Sequence, residues 1–241
     1  MHLQVVPSPH RHECSSPFAL LRARQRWQTE LCNSTIWLGA VRGSATQMNT
    51  TGVRELLAYG LTEVGKVRKH NEDAIGLNDE AQIWVVADGM GGHEAGDFAS
   101  QSIVAAVKDI PSGDLLARVD AMETTLQQVN ADLVKRGQEK GGKTIGSTVI
   151  ACIADLANVV IAWAGDSRAY LVRNGEMEQI NEDHSFVGEL VRAGTITEEE
   201  AEAHPAANVV TRAVGGDTRL CVDYQYEKLS LIHISEPTRP L

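Results

Sequence analysis

The sequence predicts an α+β domain of largely antiparallel strands held between layers, and three observations carry that expectation. Two adjacent runs, "STVIACIA" (147–154) and "NVVIAWAG" (158–165), are apolar on both faces, as strands covered on both sides are. The stretch "RAYLVRNGEMEQI" sets Asn174-Gly175 between two alternating runs, a hairpin signal that makes neighbouring strands antiparallel. Between 115 and 133, Leu115, Val119, Met122, Leu126, Val129 and Leu133 recur at spacings of four and three, the period of an amphipathic helix.

The other elements follow in order. "LLAYGLTEVG" (56–65) and "QIWVVADG" (82–89) have the β-branched and aromatic content of strands, and both run into glycine. A helix fits 95–108, with Ala99, Ile103, Ala106 and Val107 on one face. The longer helix after it takes Ser112 as its cap and Gly137 as its end. "LCVDYQYEKL" supplies a last strand.

The chain of 241 residues, 43% hydrophobic, can bury one substantial core, so one domain with tails suffices. Its net charge of −10 is unevenly spread, about +3 over residues 1–47 and −13 over the rest. An acidic body argues against nucleic acid as the main partner. Cys14, Cys32, Cys152 and Cys221 show no C-x-x-C spacing and no compact disulfide framework, which points to a reducing, cytoplasmic setting. No apolar run approaches the roughly 20 residues needed to cross a bilayer, so no membrane partner is expected, and the chain is read as a soluble monomer.

Both ends differ from the middle. Residues 1–47 contain Arg and Ser, are poor in acids and show no sustained period. They are read as a disordered or non-native extension, with a transit peptide or an upstream start before Met48 as the alternatives. The tail at 229–241, "LSLIHISEPTRPL", is read as non-native or disordered. Residues 48–228 are the expected domain.

One motif is a decoy. "GQEKGGKT" (137–144) fits the phosphate-loop pattern G-x-x-x-x-G-K-[ST], but a helical stripe precedes it and a β-branched run follows. A phosphate loop needs strand then helix, so that the helix N-terminus faces the phosphates. The reversed polarity leaves Lys143 as a surface charge.

The chemistry gathers in three clusters. In "GKVRKHNEDAIG", Arg68 stands four residues before Glu72 and five before Asp73. An exposed ion pair in a turn would explain that grouping alone. The apolar run "IWVVA" ends in Asp88-Gly89 and is followed by "MGGHEAGD". A core strand that delivers a carboxylate to a glycine-rich rim suits Mg²⁺ or Mn²⁺, which prefer carboxylate and carbonyl oxygens. "AWAGDSRAY" likewise ends a strand at Gly165-Asp166, where a simple Asp-Ser turn is the plainer reading.

Taken together, "VRKHNEDA", "VVADGMGGHEAGDFAS", "GSTVIACI", "AGDSRAYLVRNG" and "NEDHSFVGELVRAGTITEEEA" resemble the metal-dependent protein phosphatases of the PPM, or PP2C-like, family, especially its compact bacterial members. The resemblance spans 57–226. It implies a four-layer α-β-β-α sandwich of two antiparallel sheets flanked by helices, here incomplete at the C-terminus. It implies a phosphoserine/phosphothreonine phosphatase that attacks through a metal-bridging hydroxide, acting on phosphorylated proteins made by a Ser/Thr kinase. By the same resemblance, Asp88 bridges two Mn²⁺ or Mg²⁺ ions with the Gly89 carbonyl as a further ligand, and Asp73 and, more weakly, Glu72 hold metal-bound water. Arg68 binds the substrate phosphate, Asp166 serves a third, weaker ion, and 181–207 forms a flap beside the cleft.

The sequence departs from the family in two places. Met90 follows the Asp-Gly pair where some members carry histidine, and neither His93 nor His184 is read as its replacement; His184 is expected to be exposed. Two further metal-binding aspartates that the family places toward its C-terminus are not found after Tyr226. The chain as written is therefore expected to be a weak or inactive phosphatase, with a non-catalytic phosphoprotein-binding relative as the alternative.

Overall fold

The computed structural model describes residues 2–6, 34–42, 53–62, 64, 70–173 and 176–229. Arg68, Met48, the hairpin residues Asn174 and Gly175, and residues 230–241 lie outside that set.

Two antiparallel sheets face each other. The six-stranded sheet runs in the order β11 (Asp223–Lys228), β8 (Asn158–Ala164), β7 (Val149–Ala154), β5 (Ile83–Met90) and β4 (Asp73–Asn78), with the short β6 (Gly146–Ser147) paired to the end of β5. The five-stranded sheet runs β10 (Glu176–Gln179), β9 (Arg168–Arg173), β1 (His2–Val6), β2 (Ser34–Arg42) and β3 (Val53–Thr62). Every pairing is antiparallel, including β9 with β10 across the predicted hairpin, where Arg173 faces Glu176.

Strands apolar on both faces have two cores to serve. Ile83, Val85 and Ala87 of β5, Val149, Ala151 and Ile153 of β7, and Val160, Ala162 and Ala164 of β8 pack toward the helices. Their alternating neighbours Trp84, Val86, Ile150, Cys152, Ile161 and Trp163 pack toward the other sheet with Ile36 and Ala169. Period-two alternation thus places one hydrophobic layer on each side of the six-stranded sheet.

Helices α1 (His93–Lys108) and α2 (Leu115–Glu139) cover that sheet's outer face. Met122, Leu126, Val129 and Leu133 of the predicted stripe are buried, as are Ala99, Ile103 and Val107 of α1. The predicted ends of α2 are corrected. Its cap is Asp114, whose side chain accepts from the Ala117 N–H, because a carboxylate adjoining Leu115 meets the orphan N–H groups and the positive helix end better than Ser112 can. Gly137 lies inside the last turn, where a Cβ would sit 2.4 Å from the Lys143 carbonyl O. Helix α2 precedes "GGKT" and β6–β7 follow it, as the decoy reading requires. Two short helices, α3 (Phe186–Arg192) and α4 (Glu198–Glu202), lie in the 181–207 segment.

Residues 1–47, expected to be a disordered or non-native extension without a sustained period, contribute β1 and β2, which stand between β9 and β3. In "STIWLGAVR" residues 36–41 are a continuous apolar run without alternation, so a period-two test passes over it. Ile36 is nonetheless buried among Trp84, Val86 and Ala58 in the layer between the sheets.

No helix among the described residues is long and apolar enough to cross a membrane. Of the described cysteines, Cys152 is buried and Cys221 exposed, both free. Burial pushes the Cys152 thiol far up, so it is an inert core side chain.

Candidate functional site

The topology brings the expected carboxylates to one end of the six-stranded sheet. Strand β4 begins at Asp73, β5 ends two residues past Asp88, β8 ends just before Gly165-Asp166, and β11 begins at Asp223. Asp73 and Asp88 are directly opposed partners in the β4–β5 ladder. The Gly89 N–H donates to the Glu72 carbonyl at 3.1 Å, so the adjacent Asp73–Asp88 pair projects its two side chains on one face. Asp88 continues the alternation of Trp84 and Val86, which places that face toward the space between the sheets. Asp73 is only 5% exposed and Asp88 is half-buried.

Close backbone approach explains the glycines. A Cβ on Gly89 would lie 2.1 Å from the Gly96 carbonyl O, and one on Gly96 would lie 3.0 Å from Glu72 Oε2. The first turn of α1 therefore rests directly on the end of β5, and the Ser100 hydroxyl donates to the Glu72 carbonyl at 2.6 Å. The last residue of β6 and the residue before β7 supply hydroxyls. The Asp88 N–H donates to Thr148 Oγ1 at 3.2 Å, while the Asp88 carbonyl accepts from the Thr148 N–H at 2.9 Å and the Ser147 hydroxyl at 3.0 Å.

The same Thr148 hydroxyl bonds Ser167 Oγ at 2.9 Å, which ties the backbone of Asp88 to the turn that carries Asp166. That turn is tight. Gly165 has φ 132°, and a Cβ there would meet Thr148 Cβ at 2.5 Å. Asn181 closes the network from below, accepting from the Ala169 N–H and donating to the Ser167 carbonyl. Burial, and then the neighbouring Asp183 carboxylate, push Asp166 above the usual carboxylate range; its own backbone N–H and Arg168 pull the other way. Asp183 is itself held by a forked ion pair with Arg168.

His184 corrects an expectation. Expected to be exposed, it is 2% exposed. Its Nδ1 accepts from the Gly165 N–H at 3.2 Å, its Nε2 lies 3.0 Å from Asp223 Oδ2, and its ring stacks on Trp163. Both ring nitrogens have partners, which makes the burial tolerable. Sequence reasoning also passed over Ser147, Thr148, Ser167, Asn181 and Asp223. A signal was present for Ser147 and Thr148, which stand just before the apolar strand β7, and for Ser167, just before β9; Asn181, past the polar β10, and Asp223, opening the polar β11, carried none.

The donor set of Asp73, Asp88 and the Gly89 carbonyl is all hard oxygen and fits a divalent cation such as Mn²⁺ or Mg²⁺. Glu72 stands beside it. Among the described residues, however, no three His, Cys, Asp or Glu side chains converge as a metal-holding group, and Asp166 is not drawn into one with the pair. Arg68 lies outside the described residues.

The chain is similar to known proteins over most of its described length. The protein phosphatase 2C family model matches residues 49–189. The serine/threonine phosphatase stp of Listeria innocua is 42% identical over 171 residues, covering 67% of this chain and 68% of that protein. Among solved structures, PppA, a key regulatory component of T6SS in Pseudomonas aeruginosa, is similar with a TM-score of 0.64 at 44% identity over 70% of each chain. The catalytic domain of the serine/threonine protein phosphatase PstP in complex with two manganese ions is similar with a TM-score of 0.57 at 29% identity, over 81% of this chain and 72% of that one. With a family model over more than half its length and these relatives, the chain belongs to the protein phosphatase 2C family, the metal-dependent protein serine/threonine phosphatases.

Proposed function

We propose that Asp73, Asp88 and the Gly89 carbonyl hold the catalytic Mn²⁺ or Mg²⁺, two ions in the complete centre, and that Glu72 orients water beside them. The observation that carries this reading is the opposed Asp73–Asp88 pair at the end of the six-stranded sheet, on the face turned toward the other sheet. When bound, such ions supply Lewis acidity toward phosphoryl oxygens and make water a better nucleophile at neutral pH. The protein's own groups do the rest. Backbone bonds from Ser147 and Thr148 fix where the Asp88 carboxylate stands, and Asp73 adds the second negative charge from the adjacent strand. Arg68 offers a planar fork to the substrate phosphate. Asp166 belongs to a third, outer ion, and the segment 181–207, with its two short helices, borders the cleft and influences substrate choice.

The substrates are phosphorylated proteins. We place the chemistry in 48–228 and read the molecule as a cytoplasmic, bacterial signalling monomer that opposes a Ser/Thr kinase and has no nucleic-acid partner. Because the described carboxylates form a pair and no larger cage, the 241-residue chain is proposed to bind Mn²⁺ weakly and to turn over little. Calorimetric titration with Mn²⁺ and a phosphopeptide assay test this, on the chain itself and on a version extended with the C-terminal segment of the Listeria innocua relative. Weak binding that the extension converts into tight binding and turnover is the expected result. Two tight sites with brisk turnover in the unextended chain would overturn it.

A further inference from the structure

His184 sits where three parts of the chain meet. Its backbone and ring both engage Gly165: the His184 N–H donates to the Gly165 carbonyl at 2.9 Å, and the Gly165 N–H donates to ring Nδ1 at 3.2 Å. The Thr211 N–H donates to the His184 carbonyl at 2.8 Å, which brings back the chain after the 181–207 segment. On the far side of the ring, Nε2 reaches Asp223 Oδ2 at the first residue of β11, and Asp223 Oδ1 accepts from Arg212 Nη1 at 3.1 Å. Trp163 of β8 stacks on the ring at a centroid distance of 5.8 Å and an interplanar angle of 20°.

The hydrogen bonds fix the ring's state. Nδ1 is an acceptor because its partner is a backbone N–H, so the proton of the neutral ring is on Nε2, where the Asp223 carboxylate at 3.0 Å accepts it in preference to the donor-only Arg212 Nη1 at 3.5 Å. Burial lowers the readiness of this imidazole to take a second proton, which agrees with a neutral ring. The arrangement matters because Gly165 lies past the end of β8 at φ 132°, where its N–H has a side chain for a partner. The next residue is Asp166.

We propose that His184 is a positioning residue for the phosphatase centre: its Nδ1 holds the Gly165–Asp166 turn, and the Nε2–H bond to Asp223 keeps Nδ1 aimed at that turn. The proposal rests on the reading of Asp166 as a ligand of the outer ion. It gives the 181–211 segment a mechanical link to that carboxylate, since the residue that follows Asp183 is also the one that grips Gly165.

Two substitutions separate the halves of the ring. His184→Asn retains an acceptor, Oδ1, near the place of Nδ1 but cannot reach Asp223. His184→Gln retains a donor near the place of Nε2 but leaves the Gly165 N–H without its acceptor. Asn removes more volume than Gln, so a merely structural role predicts the larger effect in His184→Asn, the reverse of what the grip on Gly165 predicts. We expect hydrogen exchange at residues 165–167 to accelerate roughly tenfold in His184→Gln, the factor for about one lost buried hydrogen bond, and much less in His184→Asn. Nitrogen-15 spectra of the histidine-labelled 241-residue chain should show Nδ1 unprotonated at neutral pH. Asp223→Asn, at a side chain 46% exposed, offers a variant that does not disturb the core; it should raise exchange at 165–167 and mix the tautomers.

Equal exchange in the Asn and Gln variants, a ring protonated at Nδ1, or an Asp223→Asn protein with unchanged tautomer and exchange would each overturn the proposal. Manganese titration of the extended chain separates this from the reading beneath it. Weaker binding of the outermost ion in His184→Gln, with rescue in His184→Asn, supports both. Accelerated exchange with unchanged ion binding upholds the grip on Gly165 and removes Asp166 from the metal centre.

Discussion

The two ends of the six-stranded sheet are made of similar residues and are put to different uses. At one end, polar side chains close the structure on itself. Arg118, 4% exposed, donates from one guanidinium nitrogen to the carbonyls of Ala81 and Ala154 at 2.6 and 2.8 Å. Asn78 donates to the last carbonyls of α1, Asp155 accepts from the Ala157 and Asn158 N–H groups, and Asp79 accepts from the Trp84 indole. Here the side chains saturate the backbone. At the other end, the bonds made by Ser147, Thr148 and Asn181 go to the backbone around Asp88 and Asp166, and the carboxylates are presented by what holds their main chain. A closed end stabilises the sheet through its charged groups, whereas a working end stabilises the frame around them.

The sharpest way to break that contrast is Asp88→Asn in the extended chain. Removing one ligating charge while keeping the shape should lower kcat/KM roughly 100-fold or more, since ion-mediated charge stabilisation amounts to several kcal/mol. Urea unfolding should shift by about 1 kcal/mol or less, because the main-chain bonds of Asp88 to Ser147 and Thr148 are kept. Retention of most of the activity would remove Asp88 from the centre. Arg118→Met should do the reverse: a loss of about 2–4 kcal/mol in urea unfolding, because two buried carbonyls lose a charged donor, with Mn²⁺ affinity unchanged. A drop in Mn²⁺ affinity comparable to that of Asp88→Asn would show that the two ends are not separable.

Thr148→Val lies between these. It removes the hydroxyl shared by the Asp88 N–H and Ser167, so it should cost about 1–3 kcal/mol in stability and weaken Mn²⁺ binding several-fold in the same protein. A stability loss with no effect on Mn²⁺ would place Thr148 with the closed end. The smallest effect concerns pH. Burial, opposed by the Asp223 hydrogen bond and reinforced by Arg212 and Arg192, holds His184 below its ordinary value of 6.5. Below about pH 6.5 the unfolded chain therefore binds a proton that the folded ring resists, and stability falls as pH drops from there toward the lowered folded value. Urea melts of wild-type and His184→Asn protein should converge as the pH is lowered through this window. Parallel curves would show that the buried ring carries no such linkage.

Much of the fold was legible because its strands serve two cores. "VVIAWA" and "VIACIA" are apolar throughout, and each residue of those runs has a packing reason on one face or the other. The six-residue stripe of α2 was equally plain. β1 and β2 were not: five residues carry little periodic information, and the apolar run 36–41 has no polar alternation to mark it as a strand. Asp73, Asp88 and Asp166 could be singled out as candidates because each stands where a strand or a glycine turn delivers a charge. His184 and Asp223 could not, because their significance is a contact between residues 39 positions apart in the chain. The return of the chain to Gly165 buries His184.

The contact of Gly89 with Gly96 has a consequence for how force travels. Main chain rests on main chain there, at a distance that would put a Cβ on Gly89 2.1 Å from the Gly96 oxygen. Side-chain contacts can absorb small displacements by changing rotamer, but a glycine pair has no such slack. Helix α1 and the end of β5 must therefore shift as one rigid piece. Tilting α1 from outside, through its exposed face at Phe98, where the Arg136 guanidinium lies 3.9 Å over the ring, would act as a lever whose short arm is the Asp88 carboxylate.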